Sequence, residues 1–234
     1  MQAQDVATTY FFKSWSWIEA NTKQVVIGAG IIVVATVLVS YYFWRQNEQA
    51  ITAGQALTQL LVSTPPNSDA GQLADAYLKI AADYSGTPTA ERALVLGATT
   101  LFESGKYTEA QAQFQKYLDI HPGSTFSAPA ALGLATCLDA QGKTGPAADA
   151  YQRVISSFSD PNSVDAAKFA LAKIDEQRGK FADAANLYQE IARNNPNSPI
   201  GSEAAFHAIQ LRAKLPPTTT SSTPPSSFHL STKP

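Results

Sequence analysis

At 234 residues and 44% hydrophobic content, the chain has apolar material for one extended domain with appendages. Its 17 lysines and arginines stand against 19 acids with no run of like charge, so a nucleic-acid partner has no electrostatic support. Cys137 is the single cysteine and cannot form an intrachain disulfide. His121, His207 and His229 are not clustered with cysteine or carboxylate as the roughly four ligands of zinc require.

The first expected element is a membrane helix. Residues 25–44 hold no charged side chain and are dominated by Val, Ile, Ala and Leu. A helix of that length rises about 30 Å, enough to cross a hydrocarbon core. Trp15, Trp17 and Ile18 precede the run, and Tyr41, Tyr42, Phe43 and Trp44 close it, as interfacial aromatics do. A cleaved signal peptide has a shorter apolar core and a small-residue cleavage site, whereas this run ends in bulky rings. Lys13, Lys23 and the terminal amine before the run, against Arg45 after it, favour an amino terminus in the cytoplasm. Residues 1–24 are therefore expected as a cytoplasmic segment, and everything after the span as lying outside the inner membrane. Gly28-Ala29-Gly30 falls inside the span, where small residues serve helix packing rather than phosphate binding.

Beyond residue 45 the chain repeats itself. Tyr77, Phe114, Tyr151 and Tyr188 recur every 37 residues, in register with Ala98, Ala135 and Ala172, with Gly105, Gly142 and Gly179, with Ala110, Ala147 and Ala184, and with Ile80, Tyr117, Val154 and Ile191. That step is the size of one helix-turn-helix unit, which predicts a stacked solenoid whose business is binding. Apolar residues at helical spacing flank each glycine, so each glycine is expected at a turn with positive φ. Pro122, Pro161 and Pro196 are expected to end second helices. Thr108 with Gln111 is expected as a capping box, and Pro146 and Pro199 as first helical residues. A degenerate first copy has Ser68 and Leu73 in place of glycine and alanine, with Pro65-Pro66 marking a break between two helices. Gly201 to Lys214 matches only a first helix and is expected as a terminal cap. The solenoid thus spans 45–214. From 215 to 234 the chain is rich in Pro, Ser and Thr and is expected to be a disordered spacer, with Phe228 to Leu230 as a minor docking motif.

The stretches "GKYTEAQAQFQKYLDIHPGS" and "GKFADAANLYQEIARNNPNSP" carry Gly, an aromatic, Ala, an aromatic and Pro in an order that resembles the tetratricopeptide repeat. The copy between them, "GKTGPAADAYQRVISSFSDPNS", has Thr144 at the turn aromatic and a later proline. The resemblance covers about residues 46–214 and implies an all-α fold: one transmembrane helix, then a helical-hairpin solenoid of about 3.5 repeats. It also implies a concave groove lined by first helices. Carried onto this chain, the groove position gives Val95, Leu132, Phe169 and Phe206, a further ladder of 37, with Arg92, Thr99, Phe102, Thr136, Asp139, Lys173, Glu176 and Gln210 as neighbours. Apolar side chains with few charges suit extended or partly unfolded polypeptide better than an acidic terminal peptide, which calls for a basic clamp. A core role for this ladder remains open at this point, because Lys168 stands at the usual core position beside Phe169. Cys137 is expected as a small buried side chain. Asp175-Glu176 is expected as solvated charge, since consecutive helix positions point about 100° apart.

The front end "FFKSWSWIEANTKQVVIGAGIIVVATVLVSYYFWRQNEQA" resembles the bacterial ancillary translocon subunit family through Trp17, Asn21, Lys23, Gly28, Tyr42 and Trp44. That resemblance implies a membrane-anchored module that associates with the secretion channel and passes exported polypeptides to periplasmic chaperones. Two alternatives stand beside it: an envelope scaffold for cell division or outer-membrane assembly, and a homo-oligomer held by the membrane helix and residues 10–18. No enzyme, cofactor, metal, small-molecule substrate or nucleic acid is expected on any of these readings.

Overall fold

The computed structural model describes residues 21–65 and 68–215, except for the side chain of Val25. The expectations for residues 1–20 with Trp15 and Trp17, for Pro66, and for the 216–234 tail with Phe228 and Leu230 lie outside the described residues. Those residues form nine helices and no strand. In chain order they are α1 (Thr22–Ser63), α2 (Ala70–Asp83), α3 (Pro88–Glu103), α4 (Tyr107–Ile120), α5 (Ser127–Ala140), α6 (Thr144–Ser157), α7 (Pro161–Gln177), α8 (Phe181–Asn194) and α9 (Pro199–Lys214). The chain divides into two compact units, 1–100 and 101–234, with the boundary inside α3.

In the first unit, α1 is one unbroken helix of 42 residues that does not stop at Trp44. Its large apolar side chains from Val26 to Trp44 are between 53% and 67% exposed, and the helix is long and apolar enough to cross a membrane. After Arg45 the same helix changes character. Ala53 and Leu57 are buried, and α1 lies against α2. Thr36 and Thr52 do not break it, because each hydroxyl donates to the carbonyl four residues back, of Ile32 and Glu48. It ends where Pro65 approaches. Asp69 then caps α2 by accepting from the Gln72 amide at 2.9 Å. Leu57, Tyr77 and Ala93 form the unit's core, with Leu60, Leu73, Ile80 and Leu96 around them.

The second unit stacks α4 to α9, each helix against its successor. Gly105, Gly142 and Gly179 all have φ between 73° and 78°, as their spacing predicts. Within the unit, Phe114, Tyr151 and Tyr188 are buried. Phe114 of α4 lies so close to Gly133 of α5 that a Cβ there would meet the ring at 2.5 Å, so the ladder aromatic seals one repeat to the next. Two apolar clusters follow, one around Tyr151 with Ala135, Val154 and Ile174, and one around Tyr188 with Ala172, Ile191 and Leu211.

Three local expectations are corrected. The capping box at Thr108 does not form: α4 begins at Tyr107 after Lys106, which makes no side-chain cap. The Lys106 amide instead turns back to the Leu101 carbonyl at 2.9 Å, closing the turn so tightly that the helix starts before Thr108. Pro146 is the third residue of α6 rather than the first, still within the turn whose amides lack partners. Pro161 does not end α6, which stops at Ser157; it opens α7, with Asp160 accepting from the Ser163 amide at 2.8 Å. Pro199 is a first helical residue as expected, after the Ser198 cap.

Candidate functional site

The groove ladder has one member in the first unit. Val95 is half-buried on α3, Arg92 and Thr99 are exposed, and the Thr99 hydroxyl donates to the Val95 carbonyl at 2.9 Å. In the second unit Phe102 is half-buried, its ring 5.1 Å from that of Tyr107. Leu132 packs partly against the Tyr151 cluster, and Thr136 receives the Tyr151 hydroxyl at 3.4 Å. Phe206 and Gln210 are exposed on α9.

Phe169 sits between core and solvent. Its ring meets Tyr188 edge-on at 5.1 Å and His207 at 5.8 Å, while its open side faces a recess of about 300 Å³. That recess is lined by Asp139 of α5, by Ala166, Phe169, Ala170, Lys173, Ile174 and Gln177 of α7, and by Ile200 of α9. Three of the groove residues expected from the register, Asp139, Phe169 and Lys173, therefore come together here. Ala166, Ala170, Ile174, Gln177 and Ile200 are contributors that sequence reasoning missed; the first four share α7 with Phe169, whereas the only signal for Ile200 is its place just after the Ser198-Pro199 cap. An apolar floor between one acid and one base can hold an apolar side chain while the rim engages the polar backbone of an extended segment.

The other face of α7 is held by buried charge. Lys168 does not swing outward to let Phe169 replace it: it is buried and donates to Glu190 of α8 at 2.5 Å. Asp165 is buried too and accepts from the Asn195 side chain; burial, the larger influence, pushes its carboxyl above the usual range. Asp175 corrects another expectation. It is buried rather than solvated, 3.7 Å from Lys180, and only Glu176 is half exposed. Glu176 lies 4.0 Å from His207 and 3.9 Å from Lys214, both on α9. Cys137 is fully buried, and burial pushes its thiol up to about 11, so it is not a ready nucleophile. Among the described residues, no three His, Cys, Asp or Glu side chains are placed to hold a metal ion.

A second recess was also missed. In the first unit, Ile51, Gly54, Gln55, Thr58, Gln59 and Val62 of α1 line an open depression of about 570 Å³ without a charged residue. Gln55, Thr58, Gln59 and Val62 stand three steps of 37 before Ala166, Phe169, Ala170 and Lys173. The two recesses thus occupy the same positions of the repeat, each within its own unit. Extending the groove ladder one step back from Val95 to Thr58 would have found it.

A family model described as tetratricopeptide repeat-like domain matches residues 15–154, and a second, tetratricopeptide repeat, matches residues 132–199. No curated protein matches the chain.

Proposed function

Because this chain belongs to the tetratricopeptide repeat-like family, whose repeats are typically non-catalytic protein-interaction modules, we propose that it is a membrane-anchored binding protein ancillary to the secretory translocon. In this reading it sits in the inner membrane with its amino terminus in the cytoplasm. Its repeats lie in the periplasm, where they receive exported polypeptides and pass them to periplasmic chaperones. The single observation that carries it is the continuity of α1. One helix holds both the apolar stretch and the first recess, and the family model runs from residue 15 across both. Ile51 follows Trp44 by seven residues, about 10 Å of helix, so a chain leaving a membrane channel would meet the first recess close to the bilayer.

Phe169, Lys173 and Asp139 are the residues proposed to hold a client segment in the second unit. Leu132, Thr136 and Glu176 flank them, and Val95, Arg92 and Thr99 do the same work in the first. Phe102, Phe206 and Gln210 complete the proposed surface. Site-specific photo-crosslinking from Thr58 and Phe169 in intact cells tests it. Adducts with channel subunits and exported chains are the expected result. Adducts with one abundant outer-membrane protein and no channel subunit would instead select the envelope scaffold. Phe169→Ala should weaken capture of an unfolded client while the protein stays folded, because only part of the ring is in the core.

A further inference from the structure

The last helix among the described residues, α9, is built differently from the first helices before it. At the register position of Ala135 and Ala172, each fully buried by the second helix of its own hairpin, α9 carries Ile209, which is 70% exposed. Among the described residues no helix follows α9. The sequence after Leu215 has only Phe228 and Leu230 as large apolar residues, with prolines at 216, 217, 224 and 225, which is not the pattern of α6 or α8. A capping helix is expected to present a polar outer face, and α9 does not. Its inner side, Ala204, Ala208 and Leu211, is buried against α8, while Ser202, Phe206, Ile209 and Ala213 form an exposed, uncharged stripe. The spacing of that stripe is four, three and four residues, which is the seam of a two-helix coiled coil.

We propose that this seam is covered by the α9 of a second copy of the chain, running antiparallel. Charge selects the direction. At 100° per residue, Glu203 and Lys214 lie along the same edge of the seam near its opposite ends. Antiparallel pairing brings like edges together, so Glu203 of each copy faces Lys214 of the other. Parallel pairing would bring unlike edges together and set Arg212 of each copy beside Lys214 of the other, cation against cation. Lys214 lies 3.9 Å from Glu176 and over the Phe181 ring, yet its side chain is 54% exposed and within reach of a second copy. Phe206 opposite Ile209 of the other copy then forms the apolar centre, which withdraws Phe206 from the client surface and leaves client binding to the recess. Both copies are anchored in one membrane on the reading given above, which raises their effective concentration. The contact itself rests only on α9.

Cysteine crosslinking of the full-length protein in membranes tests it, with buried Cys137 left in place. Co-expressed Ser202→Cys and Ala213→Cys chains should give a mixed dimer through a short bis-maleimide. Each variant alone should give no more than Asn186→Cys, an exposed control on α8. Adding Ile209→Glu should lower the mixed yield about tenfold with helicity unchanged, whereas Phe169→Ala should leave it as it was. Self-crosslinking of Ser202→Cys, a mixed yield at the control level, or a yield indifferent to Ile209→Glu would each overturn the proposal. So would loss of the mixed dimer on deleting residues 216–234, which would assign the contact to the tail. A client-capture defect of Phe169→Ala is read separately and bears only on the recess.

Discussion

The hairpins α5/α6 and α7/α8 share one register and one fold but are held together by different chemistry. The first is closed by apolar contacts around Tyr151, whose hydroxyl reaches Thr136. The second has the same aromatic in Tyr188, yet among the described residues its hydroxyl is buried without a partner, and three charged residues of α7, Asp165, Lys168 and Asp175, are buried in the same hairpin. At the repeat position of Thr136 stands Lys173, turned to the recess instead. The period therefore specifies a scaffold, and the substitutions within the period decide where a hairpin carries polar function.

The largest effect should come from the shared part. Tyr151→Ala and Tyr188→Ala should each cost about 3 to 5 kcal/mol, read from chemical denaturation, because both rings are almost wholly buried. A loss confined to one of them would break the equivalence of the two hairpins. Next come the ionic partners that only α7/α8 possesses. Glu190→Gln leaves the Lys168 ammonium buried beside Asp165 and should cost roughly 2 kcal/mol, whereas Lys168→Met takes the cation from buried Asp165 but leaves Glu190 partly exposed to water and should cost less. Smaller still, Tyr188→Phe should stabilise by about 1 kcal/mol by removing an unpaired hydroxyl, while Tyr151→Phe should not.

The last test is a pH series on α7 and its cap, where Asp165 and Asp160 are shifted in opposite directions. Burial raises the Asp165 carboxyl, so its contribution is fully present below the unfolded value of about 3.9 and is lost as pH rises through the folded one. Asp165→Asn should therefore gain on the wild type as pH climbs above about 4. The Ser163 hydrogen bonds hold Asp160 below its usual range, so its contribution is present above that pH and is lost on acidification. Asp160→Asn should fall behind the wild type at neutral pH and converge with it in acid. Denaturation midpoints from pH 3 to 7 would show both trends.

Much of this was legible in the sequence, for identifiable reasons. The aromatic ladder and the turn glycines were readable because close helix packing admits few residue types at a seam and only glycine readily takes positive φ at a turn. The role of Pro161 was not, since a proline two residues late serves a helix start as well as a stop. Nor was the burial of Lys168 and Asp175, whose partners Glu190 and Lys180 lie on or just before the next helix. The recess was half legible. Asp139, Phe169 and Lys173 follow from the period, but Ile200 enters only because α9 folds back beside α7.

By itself the sequence determined an all-helical repeat, its period, its turns and an apolar helix fit to span a membrane, because each depends on spacing along one chain. Tertiary structure decided what spacing cannot express. It joined the apolar stretch to the first repeat in a single helix, placed charges of α7 in the interior beside partners on the next helix, and left Ile209 uncovered where earlier repeats bury an alanine. Each of those outcomes depends on which helix lies alongside, and that is settled only when the hairpins stack.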